Sequence, residues 1–226
     1  MTPRRTAALL CAATLALGVA ACGSGGGSDD SASSSKAPPP KPAKAGKDGL
    51  TPPGTQLSLN EAADVGWSPP STFASAGMRT SIPLEVAVSA IQKGTPSDLK
   101  DVSLDADEKG ATPYYVMVHV TNRGATAPAS DDPDLTFQAI DDRGQRQPSL
   151  TFIGGQFKRC DDRRPPRPFA RGKSYDSCLT YLMKGGGSIH EVRWTDGPSS
   201  KTSVSAYLDK PVVWTASTPR PDRPQP

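Results

Sequence analysis

Between residues 81 and 214 the apolar side chains return at every second position in short runs, and this period of two constrains the fold more than any other feature. In Ser81-Ile82-Pro83-Leu84-Glu85-Val86-Ala87-Val88-Ser89, the residues Ile82, Leu84, Val86 and Val88 share one face. Pro83 puts that run at a sheet edge or a strand start, because proline cannot donate to a ladder. Residues 114–120 alternate again, with Val116, Val118 and Val120 opposite Tyr115, Met117 and His119, before Thr121-Asn122-Arg123-Gly124 turns the chain. A third strand is expected over 135–140, closed by Asp141-Asp142-Arg143-Gly144, and a fourth over 149–153, ended by Gly154-Gly155. The fifth, over 175–183, sets Cys178, Thr180 and Leu182 against Leu179, Tyr181 and Met183. A sixth covers 189–195 and a seventh 203–208, which Val212-Val213-Trp214 extends or follows as an eighth. No stretch of twelve residues carries a helical stripe.

Seven or eight short strands between Gly, Pro and Asp turns predict an all-β chain, an immunoglobulin-like antiparallel β-sandwich over 73–216. A small barrel satisfies the same pattern. The 24 prolines and 21 glycines are many for the length, but they gather at the two ends. Residues 23–53 are Gly/Ser-rich and then Pro/Lys/Ala-rich, with Leu50 the only large apolar side chain, so burial cannot offset their ordering entropy. Residues 22–72 are therefore expected to form a disordered stalk, of which the first thirty or so residues would reach roughly 30 Å as a coil. Its last part, 57–68 (Leu57, Leu59, Ala62, Ala63, Val65, Trp67), reads as either a short helix or an extended lead-in. Residues 217–226, with four prolines and two arginines, are expected to be a disordered tail.

The start of the chain gives an address. Arg4-Arg5 precede an apolar run over 7–20, broken by Thr14 and Gly18, too short and alanine-rich to span a bilayer and followed at once by polar sequence. Residues 1–21 read as a signal peptide. Val19-Ala20-Ala21-Cys22 resembles the bacterial lipobox, and that resemblance implies that the Cys22 thiol carries a diacylglyceryl group and anchors the chain to the extracytoplasmic face of the cell membrane. Two acyl chains hold well, since each buried CH₂ contributes about 0.8 kcal/mol. Arg4-Arg5 leaves general secretory and twin-arginine export both open. Cys11 lies in the discarded segment, so Cys160 and Cys178 remain as one pair in an oxidising compartment, and a disulfide is expected between them. Closing that loop is worth roughly 3 kcal/mol.

Cleavage at Cys22 leaves 205 residues with 24 Lys/Arg against 23 Asp/Glu, without the basic excess of a nucleic-acid binder. Tyr115-Val-Met-Val-His-Val-Thr-Asn-Arg-Gly124, Phe137-Gln-Ala-Ile-Asp-Asp-Arg-Gly144 and Pro168-Phe-Ala-Arg-Gly172 together resemble an immunoglobulin-like domain family of unknown function from secreted and lipid-anchored Gram-positive proteins. The resemblance covers roughly 78–196. It implies an extracytoplasmic binding or accessory role and carries over no catalytic residue. The chain departs from that pattern where it has Arg171-Gly172 in place of Pro-Gly, and in the long basic loop before it.

That loop is the unusual local feature. Lys158, Arg159, Arg163, Arg164, Arg167, Arg171 and Lys173 set seven cations against Asp161 and Asp162, among prolines and next to the expected disulfide. They form a candidate contact surface for an anionic envelope polymer, lipid headgroups or an acidic protein partner; hydration of a solvated loop is the competing reading. No cofactor, metal or nucleic-acid partner is expected, and the oligomeric state is left open. Asp105-Ala-Asp107-Glu108-Lys109-Gly110 fails as a calcium loop, since Lys109 stands where an oxygen ligand is needed, and Asp131-Asp132-Pro133-Asp134 reads as a hydrated turn. His119 and His190 stand without a histidine or cysteine at zinc spacing and without an evident acid partner. No nucleophile elbow, phosphate loop or zinc-protease motif occurs. A binding module is thus expected, not an enzyme; the alternatives are an envelope hydrolase with a site assembled from dispersed residues, and a transporter's solute-binding lipoprotein, which the missing βαβ alternation disfavours.

Overall fold

The alternating runs become strands of two stacked sheets. The structure is a computed structural model, and it describes residues 39–67, 81–106, 108–125, 135, 137–147, 149–150, 152, 157–160, 164–197 and 205–216. In chain order the strands are β1 (Lys41–Pro42), β2 (Gln56–Ser58), β3 (Glu61–Trp67), β4 (Ile82–Lys93), β5 (Thr112–Asn122), β6 (Phe137–Asp141), β7 (Arg146–Gln147), β8 (Ser149–Leu150), β9 (Ser174–Met183), β10 (Ile189–Trp194) and β11 (Val212–Thr215). The larger sheet runs β1-β3-β4-β5-β9-β8 and the smaller β2-β11-β10-β6-β7. Both are open, so the all-β sandwich holds and the barrel does not.

The side chains that alternate inward make one core. Leu84, Val86 and Val88 of β4 and Val116, Val118 and Val120 of β5 are fully buried, facing Trp194 of β10 and Trp214 of β11. Two polar bonds stitch the layers: the Tyr181 hydroxyl donates to the Phe137 carbonyl (3.1 Å), and the Trp214 indole N–H donates to the Glu61 carbonyl (2.8 Å). Each aromatic thus meets its polar need inside an apolar layer. Long β5 pairs along its length with β4 and β9, which puts Tyr115, Met117 and His119 on the outer face. Part of that face is covered as well. Leu99, Ala111 and Leu182 form one small cluster, and Tyr115, Cys160 and Cys178 another, with Phe157 against both.

Three expectations need correction. The disordered stalk drawn over 22–72 contains three strands, so the body assigned to 73–216 begins by Lys41. Sparse apolar content misled there, because the ordering comes from backbone bonds to an open edge: Lys41 and Ala43 donate to the carbonyls of Asn60 and Ala62, and Thr51 to that of Asp64. Of the two readings over 57–68 the extended one holds for the described residues, with Gln56–Ser58 and Glu61–Trp67 as strands and Leu57, Val65 and Trp67 in the core. The sheets are not antiparallel throughout, since β1 runs parallel to β3 and β2 parallel to β11, one short edge on each sheet.

Where a strand is expected over 203–208, the described residues form instead a one-turn helix, α1 (Ala206–Asp209). Ser205 caps it, its hydroxyl accepting from the Tyr207 N–H, and Tyr207 turns inward to donate to the Thr51 carbonyl at 2.7 Å. The first strand runs on past Ser89 to Lys93 through a register shift between Val88 and Ala90, and it is central, with Pro83 at its start and not at an edge. Of the residues expected in the fourth strand, Ser149–Leu150 is strand and Phe152 is not, and residues 151 and 153 lie outside those described. The signal segment, Cys22 and the tail over 217–226 lie outside the described residues.

Candidate functional site

The basic loop divides into a pinned half and an exposed half. Cys160 and Cys178 are joined, with their Cα atoms 5.3 Å apart, and both are buried beside Tyr115. Lys158–Cys160 forms a single 3₁₀ turn there, its last amide bonded to the Phe157 carbonyl. Arg159 is committed locally: its Nε lies 3.4 Å from Asp98 Oδ2. That carboxylate also accepts from the Thr95 amide and from the Tyr115 hydroxyl, each at 3.0 Å. The Thr95 amide bond, joined by the Tyr115 and Thr95 hydroxyls and the Arg159 charge, holds the Asp98 carboxyl down at about 2. Burial and the same carboxylate push the Tyr115 phenol well above its ordinary range. This half of the loop ties the disulfide to the turn after β4.

The second half, 164–173, leaves the disulfide and leads into β9. Arg164, Arg167, Arg171 and Lys173 are all exposed, while Pro165 and Phe169 are buried. Phe169 is fully inside, edge-on to the Tyr175 ring at 5.3 Å. Asn122, buried at the end of β5, clamps the segment. Its Nδ2 donates to the Phe169 carbonyl (2.7 Å) and its Oδ1 accepts from the Gly124 amide (2.7 Å). Its backbone carbonyl accepts from Gly172 and its amide donates to the Lys173 carbonyl. Gly172 sits at φ +76°, where a Cβ would be strained. The Asn-x-Gly turn and the Arg171-Gly172 turn are therefore one hydrogen-bonded unit. Of the seven cations gathered in sequence, Arg159 is held by Asp98, and Arg164, Arg167, Arg171 and Lys173 are exposed along the arm; Arg163 and the Lys158 side chain lie outside what is described.

Two groupings on the outer face of the larger sheet had no signal in a single run of sequence, because strand pairing alone creates them. His119 and Asp176 are cross-strand partners, with Nδ1 and Oδ1 2.8 Å apart, and Thr121 and Ser174 hydroxyls meet on the next rung at 2.9 Å. The His119 and Asp176 side chains are 29% and 56% exposed, so water screens the pair. Asp64 and Glu85 face each other across β3 and β4, and Arg123 bonds Glu85. Burial and the neighbouring Glu85 raise the Asp64 carboxyl, against the pull of Arg123. At residues 105–108 the turn closes on itself, as the Glu108 carboxylate accepts from the Asp105 amide. Among the described residues no three His, Cys, Asp or Glu side chains gather to hold a metal ion. No described helix is long and apolar enough to cross a membrane.

No protein-family model matches the chain, so the resemblance drawn over 78–196 has no such match behind it. No curated protein matches either. A solved structure named "putative lipoprotein", from Staphylococcus aureus, is similar at 11% identity and TM-score 0.32, over 57% of this chain and 85% of its own.

Proposed function

We propose that this chain is a lipid-anchored, extracytoplasmic binding or accessory module of the cell envelope, which holds a partner without transforming it. The observation that carries this reading is Val19-Ala20-Ala21-Cys22, placed directly after a cationic start and an apolar run and directly before polar sequence. The Cys160–Cys178 disulfide supports it, because such bonds persist in oxidising compartments. Between Cys22 and the first described strand at Lys41 lie 18 residues of the chain.

Mass spectrometry of the mature protein is the test. The expected N-terminal residue is Cys22 bearing two or three acyl chains, and Cys22→Ala should move the protein from the membrane fraction to the soluble one. A mature chain that keeps residues 1–21, or begins at an unmodified Cys22, would overturn the reading. The hydrolase alternative has one observation in its favour, the His119–Asp176 pair. Envelope-polymer hydrolysis that disappears in both His119→Ala and Asp176→Asn would promote it over the binding role.

A further inference from the structure

We propose that the arm over residues 164–173 is a docking site for a linear, phosphate-bearing polyanion, and this rests on the extracytoplasmic placement above. Within the ten residues Arg-Pro-Pro-Arg-Pro-Phe-Ala-Arg-Gly-Lys there are four cations and no acid. All four are exposed on a segment whose backbone is held at Asn122 by three bonds, through the Phe169 carbonyl, the Gly172 amide and the Lys173 carbonyl. A solvated basic loop needs no such frame. A binding arm gains from one, because the ordering cost is met before the ligand arrives.

The chemistry of the arm selects the ligand class. Guanidinium forks match phosphate oxygens in paired hydrogen bonds, and cations strung along an arm suit a polymer of repeating charges better than one small anion. A bilayer is the competing source of phosphate. Basic segments that dock on bilayers commonly add an apolar side chain that enters the headgroup region. Here the one large apolar residue of the segment, Phe169, is buried in the core. The chain enters at β1, beside the start of β3, whereas the arm stands where β3 finishes and β9 begins. β1 and β9 lie four strands apart in the sheet, about 19 Å at the usual spacing. The described chain thus starts at one corner of this sheet and the arm stands at another.

The experiment uses the chain from residue 22 with Cys22→Ser, so that no lipid attaches. Binding is titrated against linear polyphosphate, polyglutamate, and neutral vesicles doped with an anionic phospholipid. Polyphosphate should bind, and the triple variant Arg164→Gln, Arg171→Gln, Lys173→Gln should weaken it at least tenfold. The same variant should flatten the slope of log K against log salt by about two. Arg159→Gln serves as the internal control and should change the affinity less than twofold. Equal binding by wild type and triple variant, equal affinity for polyglutamate, or a preference for the doped vesicles would each overturn the proposal. Because the tested chain carries no lipid, these results stand apart from the acylation measurement, and either reading can fail without the other.

Discussion

Asn122→Ala is the sharpest test of how the arm is built. Asn122 is fully buried, and its side chain satisfies two backbone groups that water does not reach in its place, the Phe169 carbonyl and the Gly124 amide. Leaving a buried backbone group unpaired costs about 1–3 kcal/mol, and with local relaxation offsetting part of the sum the two together should cost about 2–4 kcal/mol. That is a large share of the roughly 5–15 kcal/mol that holds a domain folded. With a urea slope near 2 kcal/mol per molar, the midpoint should fall by about 1–2 M. Hydrogen exchange adds a finer readout. The Gly124 amide should lose protection, while the Gly172 amide, bonded to the Asn122 main-chain oxygen, should keep most of its own. Asn122→Asp keeps the acceptor for Gly124 but sets a carboxylate oxygen against the Phe169 carbonyl, so it should cost at least as much as alanine. A midpoint shift below about 0.3 M for Asn122→Ala, or equal loss of protection at both amides, would refute the clamp.

Other outcomes follow from single contacts. Replacing Cys160 and Cys178 together by alanine opens a loop of 18 residues and should cost about 3 kcal/mol, a fall in Tm of roughly 6–12 °C by calorimetry; an unchanged Tm would show the loop is held by packing alone. Tyr207→Phe removes the bond to Thr51 and leaves that buried carbonyl unpaired, for a loss of about 1–3 kcal/mol in urea unfolding. Asp98 is held low, so its contribution to stability is complete above the ordinary carboxylate value near 4 and is lost as pH falls through about 2. Asp98→Asn should flatten the acid limb of the stability curve between those values; an unaltered limb would remove Asp98 from the account. Asp64 is shifted the other way, so its ionised form opposes folding, and Asp64→Asn should leave Tm at pH 7 equal or higher.

What the sequence carried, and what it hid, divides along a physical line. Period-two alternation fixes faces, and the interior face of β4 and β5 lies where Leu84 to Val120 put it. Turn chemistry was readable at Asp141, whose carboxylate accepts from the Arg143 and Gln145 amides and from the Gln147 side chain. Local composition failed at residues 41–58, where order comes from a distant partner: β2 has β11 to pair with, and β1 has β3. It failed again at 205–209, where Ser205 offers a cap and a buried tyrosine tips a short apolar run from strand into helix. The candidate site shows the same split. The cations of the arm were plain in sequence, but the capture of Arg159 by Asp98 and the meeting of His119 with Asp176 needed the sheet to bring together residues 61 and 57 apart in the chain.

The two parallel edge strands have a consequence for how the molecule is made. β2 comes from near the beginning of the chain, and the strand it lies beside, β11, comes near its end; the Tyr207–Thr51 and Trp214–Glu61 bonds span 156 and 153 residues. Contacts of such long range close late and slowly in any β topology. Synthesis must therefore reach Val212 before the smaller sheet can take up β2. A stop codon anywhere before Val212 would leave β2 without its neighbour and β10 with a bare rim, a ready seed for pairing between molecules.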